Sequence, residues 1–205
     1  MIRVVCTDIS SADERIYESL YERASDERKR RADRYRRTED KLRCVTADAL
    51  LRAALGTHEY HIGKNEFGKP YVKDRKDFYY NLSHSGDCVV LAYGSSEIGV
   101  DVQRHSAGTD MRVIADHCFS PDEREYLLQG GECTEERFYE IWTGKESYLK
   151  CVGKGLYGDV RNLSVLKQKS EILFFPHLPK DGYSLSLCTK DTEYIFELSD
   201  VRQLG

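Results

Sequence analysis

The sequence predicts an α+β fold, and three observations carry that reading. Segments with helical periodicity precede short β-rich runs. That order occurs twice along the 205 residues, with a join near 103–110. The composition, 40% apolar and 32% charged, is that of a globular chain long enough to bury a substantial core. No sequence repeat is visible, so the double pattern suggests two α+β units in tandem without establishing them.

Taken in order, "IRVVCTD" (2–8) is rich in β-branched residues and reads as a strand. One helix is expected after Ser11 and another after Ser25, where Asp26 and Glu27 suit the first turn of a helix dipole. Thr38 is placed to cap a third helix, in which Leu42, Val45, Ala49, Leu50 and Ala53 recur at helical spacing before Gly56 ends it. Five short runs then read as strands: "EYHI", "KPYV", "FYYNLS", "CVVLAYG" and "EIGVDVQ", with "NEFGKP" forming a turn between the first two. Residues near 109–117 look helical. Ser120, Pro121 and Glu123 compose a capping box with proline at the first helical position. Thr134 caps a long helix, "EERFYEIWTGKESYLKCV", and the tail from about 161 to 199 supplies three further strand-like runs.

Composition narrows the function. A net charge of −4 argues against a general nucleic-acid binder. The seven cysteines are odd in number, singly scattered and free of any C-x-x-C, so neither a zinc site nor a disulfide framework is suggested. No apolar run approaches the roughly 18 residues of a membrane span, and the N-terminus is too polar for a signal peptide. These features fit a reduced, cytoplasmic setting with no membrane contact. Basic residues concentrate in "DERKRRADRYRRTEDKLR" (26–43), either a solvated helix face or an anion site.

Three stretches could carry chemistry. In "EIGVDVQ" strand alternation puts Ile98, Val100 and Val102 on one face, with Gly99, Asp101 and Gln103 on the other. Asp101 and Gln103 would lie about 7 Å apart, with Gly99 leaving a bare spot for a ligand. A sheet face turned to water explains the same pattern. In "WTGKESYLK" (142–150), Glu146 borders an apolar helical stripe and Lys150 follows at i+4. The pair is an ordinary surface pair or a carboxylate at the rim of a cleft, tuned by a lysine. "NLSHSGD" (81–87) offers hydroxyls, His84 and a tight glycine turn, suited to phosphate contact or simply a polar turn. The histidines of "HEYH" (58–61) lack the further ligands a metal site needs.

Singly these are weak, but their order is specific. N-x-S-H-S at 81–85, G-V-D-V at 99–102 and W-x-x-K-E-x-x-x-K at 142–150, with "GKP" at 68–70 and "GKGL" at 153–156, closely resemble the 4′-phosphopantetheinyl transferase superfamily. The chain length is similar to that of its larger, Sfp-like type. The resemblance implies two similar α+β halves, 1–103 and 104–205, with the active site in the cleft between them, and a monomer. It implies transfer of 4′-phosphopantetheine from coenzyme A to a serine of an apo acyl, peptidyl or aryl carrier protein, releasing adenosine 3′,5′-bisphosphate. It further implies Mg²⁺ held by Asp101 and Glu146, with Glu146 as the serine's base and Lys150 on the phosphates. By the same likeness Lys69 and Pro70 lie near the nucleotide, Ser83 and His84 hold phosphate, and Arg28 and Arg31 reach the 3′-phosphate. Many large-type members have Asp-x-Glu where this chain has Asp101-Val102-Gln103, so Gln103 is expected to act through water or as a weak ligand. Glu123 aligns with a glutamate given a role in some members, and ranks below Glu146 because it also completes a capping box. A coenzyme A- or carrier-binding homologue with reduced catalysis is the alternative, and an unrelated phosphodiesterase a weaker one.

Overall fold

The computed structural model describes residues 1–153, 160–167 and 172–204. Among them lie six α-helices and nine strands. The α+β expectation holds, and most elements fall where the sequence placed them.

Strand β1 (Ile2–Asp8) opens the chain and is followed by helices α1 (Glu14–Arg23), α2 (Asp26–Asp33) and α3 (Thr38–Leu55). Asp13 caps α1 and Ser25 caps α2, each side chain accepting from a backbone N–H of the first turn. Thr38 is the first residue of α3 rather than its cap, and Gly56 ends that helix in the left-handed region at φ 66°. A small hairpin follows, β2 (Ile62–Lys64) and β3 (Pro70–Val72), and then β4 (Tyr79–Ser85), β5 (Cys88–Gly94) and β6 (Ile98–Arg104). The second half adds α4 (Met111–Cys118), α5 (Pro121–Leu127), α6 (Glu135–Val152), β7 (Ile172–Phe174), β8 (Tyr183–Thr189) and β9 (Tyr194–Asp200). The capping box at Ser120 and Glu123 forms as expected.

The strands make three sheets, ordered β4-β5-β1-β9, β2-β3 and β6-β8-β7. All pairings are antiparallel except β1 with β9. Two crossings lock the sheets together: β6 pairs with β8, far along the chain, and β9 returns to the side of β1. Four layers result. Helices α1–α3 cover one face of the first sheet, through Leu20, Val45, Leu51, Val89 and Leu91. The other face of that sheet packs on the β6-β8-β7 sheet, through Ile2, Val4, Val90, Val100, Val102 and Leu187. Helix α6 covers the far side of β6 and β8, with α4 and α5 behind it around Phe119, Phe138 and Ile141.

The two faces of β6 divide as the alternation predicts. Ile98, Val100 and Val102 are fully buried between the sheets. The polar face, however, is not turned to water, because α6 lies across it. A Cβ on Gly99 would fall on the carbonyl oxygen of Ser147 and the amide nitrogen of Cys151. The bare spot at Gly99 therefore admits a helix backbone, not a ligand. Gly99→Ala is expected to lower stability by about 3 kcal/mol or more, read from urea unfolding of the variant against the parent chain.

Candidate active site

The outward edge of β6 carries backbone groups that no strand pairs. Side chains satisfy them instead. Val100 N–H donates to Asn81 Oδ1 at 2.9 Å, Val102 N–H to Ser83 Oγ at 3.2 Å and Arg104 N–H to Ser85 Oγ at 3.0 Å. These acceptors are alternate residues of β4, so one face of that strand is a ladder of short polar side chains. On the carbonyl side, Lys69 Nζ donates to Ile98 O at 3.1 Å and Lys150 Nζ to Val100 O at 3.2 Å. The N-x-S-x-S spacing thus joins the two large sheets edge to face.

Asp101 sits within this junction, 2% exposed. Its Oδ1 accepts from Ser83 Oγ at 2.9 Å and pairs with Lys150 Nζ at 2.6 Å. Its Oδ2 accepts from Gln103 Nε2 at 3.2 Å, while Gln103 Oε1 accepts from Ser85 Oγ at 3.4 Å. Gln103 therefore presents its nitrogen to Asp101. Glu146 arrives from α6 because Gly99 lets that helix approach closely. Its carboxyl is pushed above the usual carboxylate range, first by burial and then by the charge of Asp101, with Lys150 opposing.

Two desolvated carboxylates that repel one another, beside a single lysine, form a donor set that fits a hard divalent cation. Among the described residues no group of three or more His, Cys, Asp or Glu could hold a metal, so these two carboxylates would need ligands from substrate and water.

Glu146 and Lys150 face a cleft of about 1370 Å³, with Asp101 buried behind Lys150. Its walls come from α2 (Arg28, Arg31) and its C-cap Arg34, the segment 60–73 (including Tyr60, Lys69, Pro70), β4 (Tyr80, Leu82, His84) and α6 (Glu146, Lys150). His84 faces the cleft with its imidazole held below the ordinary histidine value, by desolvation and then by Arg43, Arg31 and Lys150. A neutral ring among cations can donate to a phosphate while adding no repulsion.

The sequence-predicted residues gather here with two differences of position. Ser83, adjacent to His84, points the other way: it is 6% exposed and its hydroxyl is committed to Asp101 and Val102. Lys69 lines the cleft, but its ammonium also holds Cys151 O at 2.8 Å and Glu97 at 2.8 Å. It thereby fastens the β2–β3 hairpin to the end of α6, where Asn65 Nδ2 also donates to Gly153 O at 3.2 Å. Of "GKGL" only Gly153 is described, as the left-handed C-cap of α6 at φ 65°; the remainder lies outside the described residues.

The second lysine of the same helix serves a different core. Lys145 is 1% exposed and pairs with Glu123, itself fully buried, at 2.7 Å. Lys145 Nζ also donates to the carbonyls of Val160 and Leu163. Glu123 accepts from Ser120 N and Val165 N, both at 2.8 Å. Glu123 is thus enclosed and fully engaged. The sequence singled out neither Asn81, Asp48 nor Tyr60, although the polar alternation of 81–85 contained the signal for the first.

A family model described as the 4′-phosphopantetheinyl transferase superfamily matches residues 97–198. The chain is similar to 4′-phosphopantetheinyl transferase gsp of Aneurinibacillus migulanus, 28% identical over 195 residues, covering 86% of this chain and 81% of that protein. It is likewise similar to 4′-phosphopantetheinyl transferase Sfp of Bacillus subtilis (strain 168), 30% identical over 190 residues, covering 83% and 84%. With psf-1 of Bacillus pumilus the identity is 35% over 149 residues, 69% and 63% of the two chains. The chain thus belongs to a group-transfer enzyme class, and it is a member of the 4′-phosphopantetheinyl transferase superfamily.

Two outcomes follow from these buried charges. Lys145→Met strands Glu123 without its cation, and should lower unfolding free energy by about 3–5 kcal/mol in urea melts. Glu146→Gln should do the opposite in metal-free protein. The raised Glu146 pKa means that ionisation is penalised in the folded state. That penalty is absent in acid, grows as pH rises past the unfolded carboxylate value, and is complete above the folded one. The Gln variant should therefore unfold at higher urea than the parent at pH 7 and match it below about pH 4.

Proposed function

We propose that this protein moves the 4′-phosphopantetheine of coenzyme A onto a serine hydroxyl of an apo acyl, peptidyl or aryl carrier protein, leaving adenosine 3′,5′-bisphosphate. The observation that carries this reading is one cleft with arginines of α2 along one wall and Lys150 and Glu146 at the other end, Lys150 being paired with the buried Asp101. That polarity suits a ligand with phosphates at two places and a pyrophosphate bond to be broken.

In this reading Arg28 and Arg31 take the 3′-phosphate, since planar guanidinium groups match phosphate oxygens. Pro70 and the backbone around Lys69 wall the nucleotide, and Lys69 acts through the hairpin it fastens. His84 and Lys150 address the pyrophosphate. Ser83 and Gln103 hold the Asp101 carboxylate in place from beneath. Glu146 accepts the proton of the incoming serine hydroxyl, a task suited by a carboxyl with a raised pKa. The serine oxygen then bonds to the phosphorus that bears pantetheine, and the bond from that phosphorus to the nucleotide's bridging oxygen breaks. Asp101 and Glu146 would hold Mg²⁺, which when bound neutralises charge developing on the two phosphates.

The halves 1–103 and 104–205 are proposed as related units flanking this cleft. In support, α3 and α6 each have 18 residues, each ends at a left-handed glycine, and each lies against one of the large sheets. One chain then supplies both cleft walls, which favours a monomer. Among the described residues no helix is long and apolar enough to cross a membrane, and a cytoplasmic setting is consistent with cysteines that are singly scattered and form no C-x-x-C.

Incubation with coenzyme A, Mg²⁺ and a panel of apo carriers should add about 340 Da to the carrier, the mass of the transferred phosphoryl group and its pantetheine. Asp101→Ala should abolish that shift while leaving circular dichroism intact. Tight coenzyme A binding with no mass shift on any carrier would instead identify a binding homologue.

A further inference from the structure

Behind residues that line the cleft lies a charged group that the transfer reaction does not use. Asp48, on α3, is fully buried. One carboxylate at such depth is costly unless each oxygen is paired. Its Oδ2 accepts from Arg52 Nε at 3.0 Å, one turn along the same helix. That pair already neutralises the charge locally. Yet Oδ1 gathers three more groups. Tyr60 OH donates to it, Ser25 Oγ donates at 3.4 Å, and Arg28 Nε lies 3.5 Å away.

All three of these further partners line the cleft. Ser25 caps α2 by accepting from Arg28 N at 3.3 Å, so its hydroxyl links the start of that helix to Asp48. Tyr60 comes from the opposite wall, just ahead of β2. Arg28 carries its own side chain over the same carboxylate. Structural neutralisation would need only Arg52; the rest of the hub reaches the ligand-facing surface and orients a guanidinium there. With Nε turned to Asp48, the two terminal nitrogens of Arg28 are left for two-point recognition of a phosphate.

We propose that Asp48, held by Tyr60 and Ser25, is the positioning residue of the phosphate-binding arm. It sets the plane and reach of Arg28 toward the ribose 3′-phosphate of coenzyme A. The inference rests on the reading of Arg28 given above and adds to it the source of that arm's selectivity. Asp48 touches no reacting atom, so its effect belongs in nucleotide affinity and not in the chemical step.

The experiment is steady-state carrier loading by the full chain, with coenzyme A and with 3′-dephospho-coenzyme A, for Tyr60→Phe, Asp48→Asn, Arg28→Ala and the double variant Tyr60→Phe/Arg28→Ala. Tyr60→Phe leaves the Asp48–Arg52 pair in place and so tests the hub even if Asp48→Asn melts early. Tyr60→Phe is expected to raise KM for coenzyme A about tenfold, the scale of one charge-assisted contact. Its kcat should stay within about twofold and its KM for the dephosphorylated substrate should barely change. In the Arg28→Ala background the Tyr60 substitution should add nothing, because both act through one contact. Equal KM increases for both substrates would reduce Asp48 to a structural ion pair and overturn the proposal. So would additive effects in the double variant. If Arg28→Ala itself leaves the preference for coenzyme A unchanged, the arm is not at that phosphate and the inference falls. Loading by the parent chain would then still stand, separating this failure from a failure of the transferase reading.

Discussion

The outward edge of β6 organises this molecule. An unpaired strand edge normally invites another strand, or water. Here Asn81, Ser83 and Ser85 take its N–H groups, and Lys69 and Lys150 take two of its carbonyls. Because the caps are side chains, the first sheet meets this edge with one face of β4 and does not extend the sheet. That geometry leaves the opposite face of β4, with Tyr80, Leu82 and His84, open to the cleft. It also places Asp101 where Ser83 and Lys150 reach both the strand edge and its carboxylate. Fold and site share the same few hydrogen bonds.

Electrostatics divides α6 in a related way. Lys145 and Lys150 belong to one motif but face different interiors. Lys145 is desolvated, which lowers its pKa, and Glu123 opposes that shift from within the same enclosure. Lys150 remains partly exposed beside Asp101 and Glu146. A buried pair that is fully hydrogen-bonded adds little net stability but makes loss of either partner expensive. The pair therefore fixes α5, α6 and the Val165 turn as a unit, while the exposed lysine stays available at the cleft. Glu123 and Glu146 are both glutamates near lysines, yet only the second faces a volume that a ligand can enter.

Much of this was legible in the chain itself. Caps at Ser25, Ser120 and Thr134, the stop at Gly56, and the division of β6 into apolar and polar faces all follow from local chemistry. The Thr38 cap was displaced because Arg37 takes the extended conformation that the cap position needs. Two misplacements have different causes. Gly99 was read as room for a ligand, but nothing in the sequence says which element will cover a strand face. Ser83 was grouped with His84 because "NLSHSGD" reads as a turn; once 79–85 is a strand, neighbours must face opposite ways. The pairing of β9 with β1 and the Asp48 hub join residues too distant in sequence for any local pattern to register.

The fastening of the β2–β3 hairpin by Lys69 and Asn65 has a further consequence. Its acceptors are the last carbonyls of α6, which no residue within the helix can satisfy. Helix ends ordinarily fray at almost no free-energy cost. Here fraying would break two contacts and cut loose a wall of the cleft, so the last turn of α6 and the hairpin open together as one cooperative unit. The same helix carries Glu146 and Lys150. Anything that holds the hairpin closed would thus suppress opening of the helix end that carries Lys150. The hairpin and the end of α6 are linked through the local folding equilibrium itself, with no moving domain required.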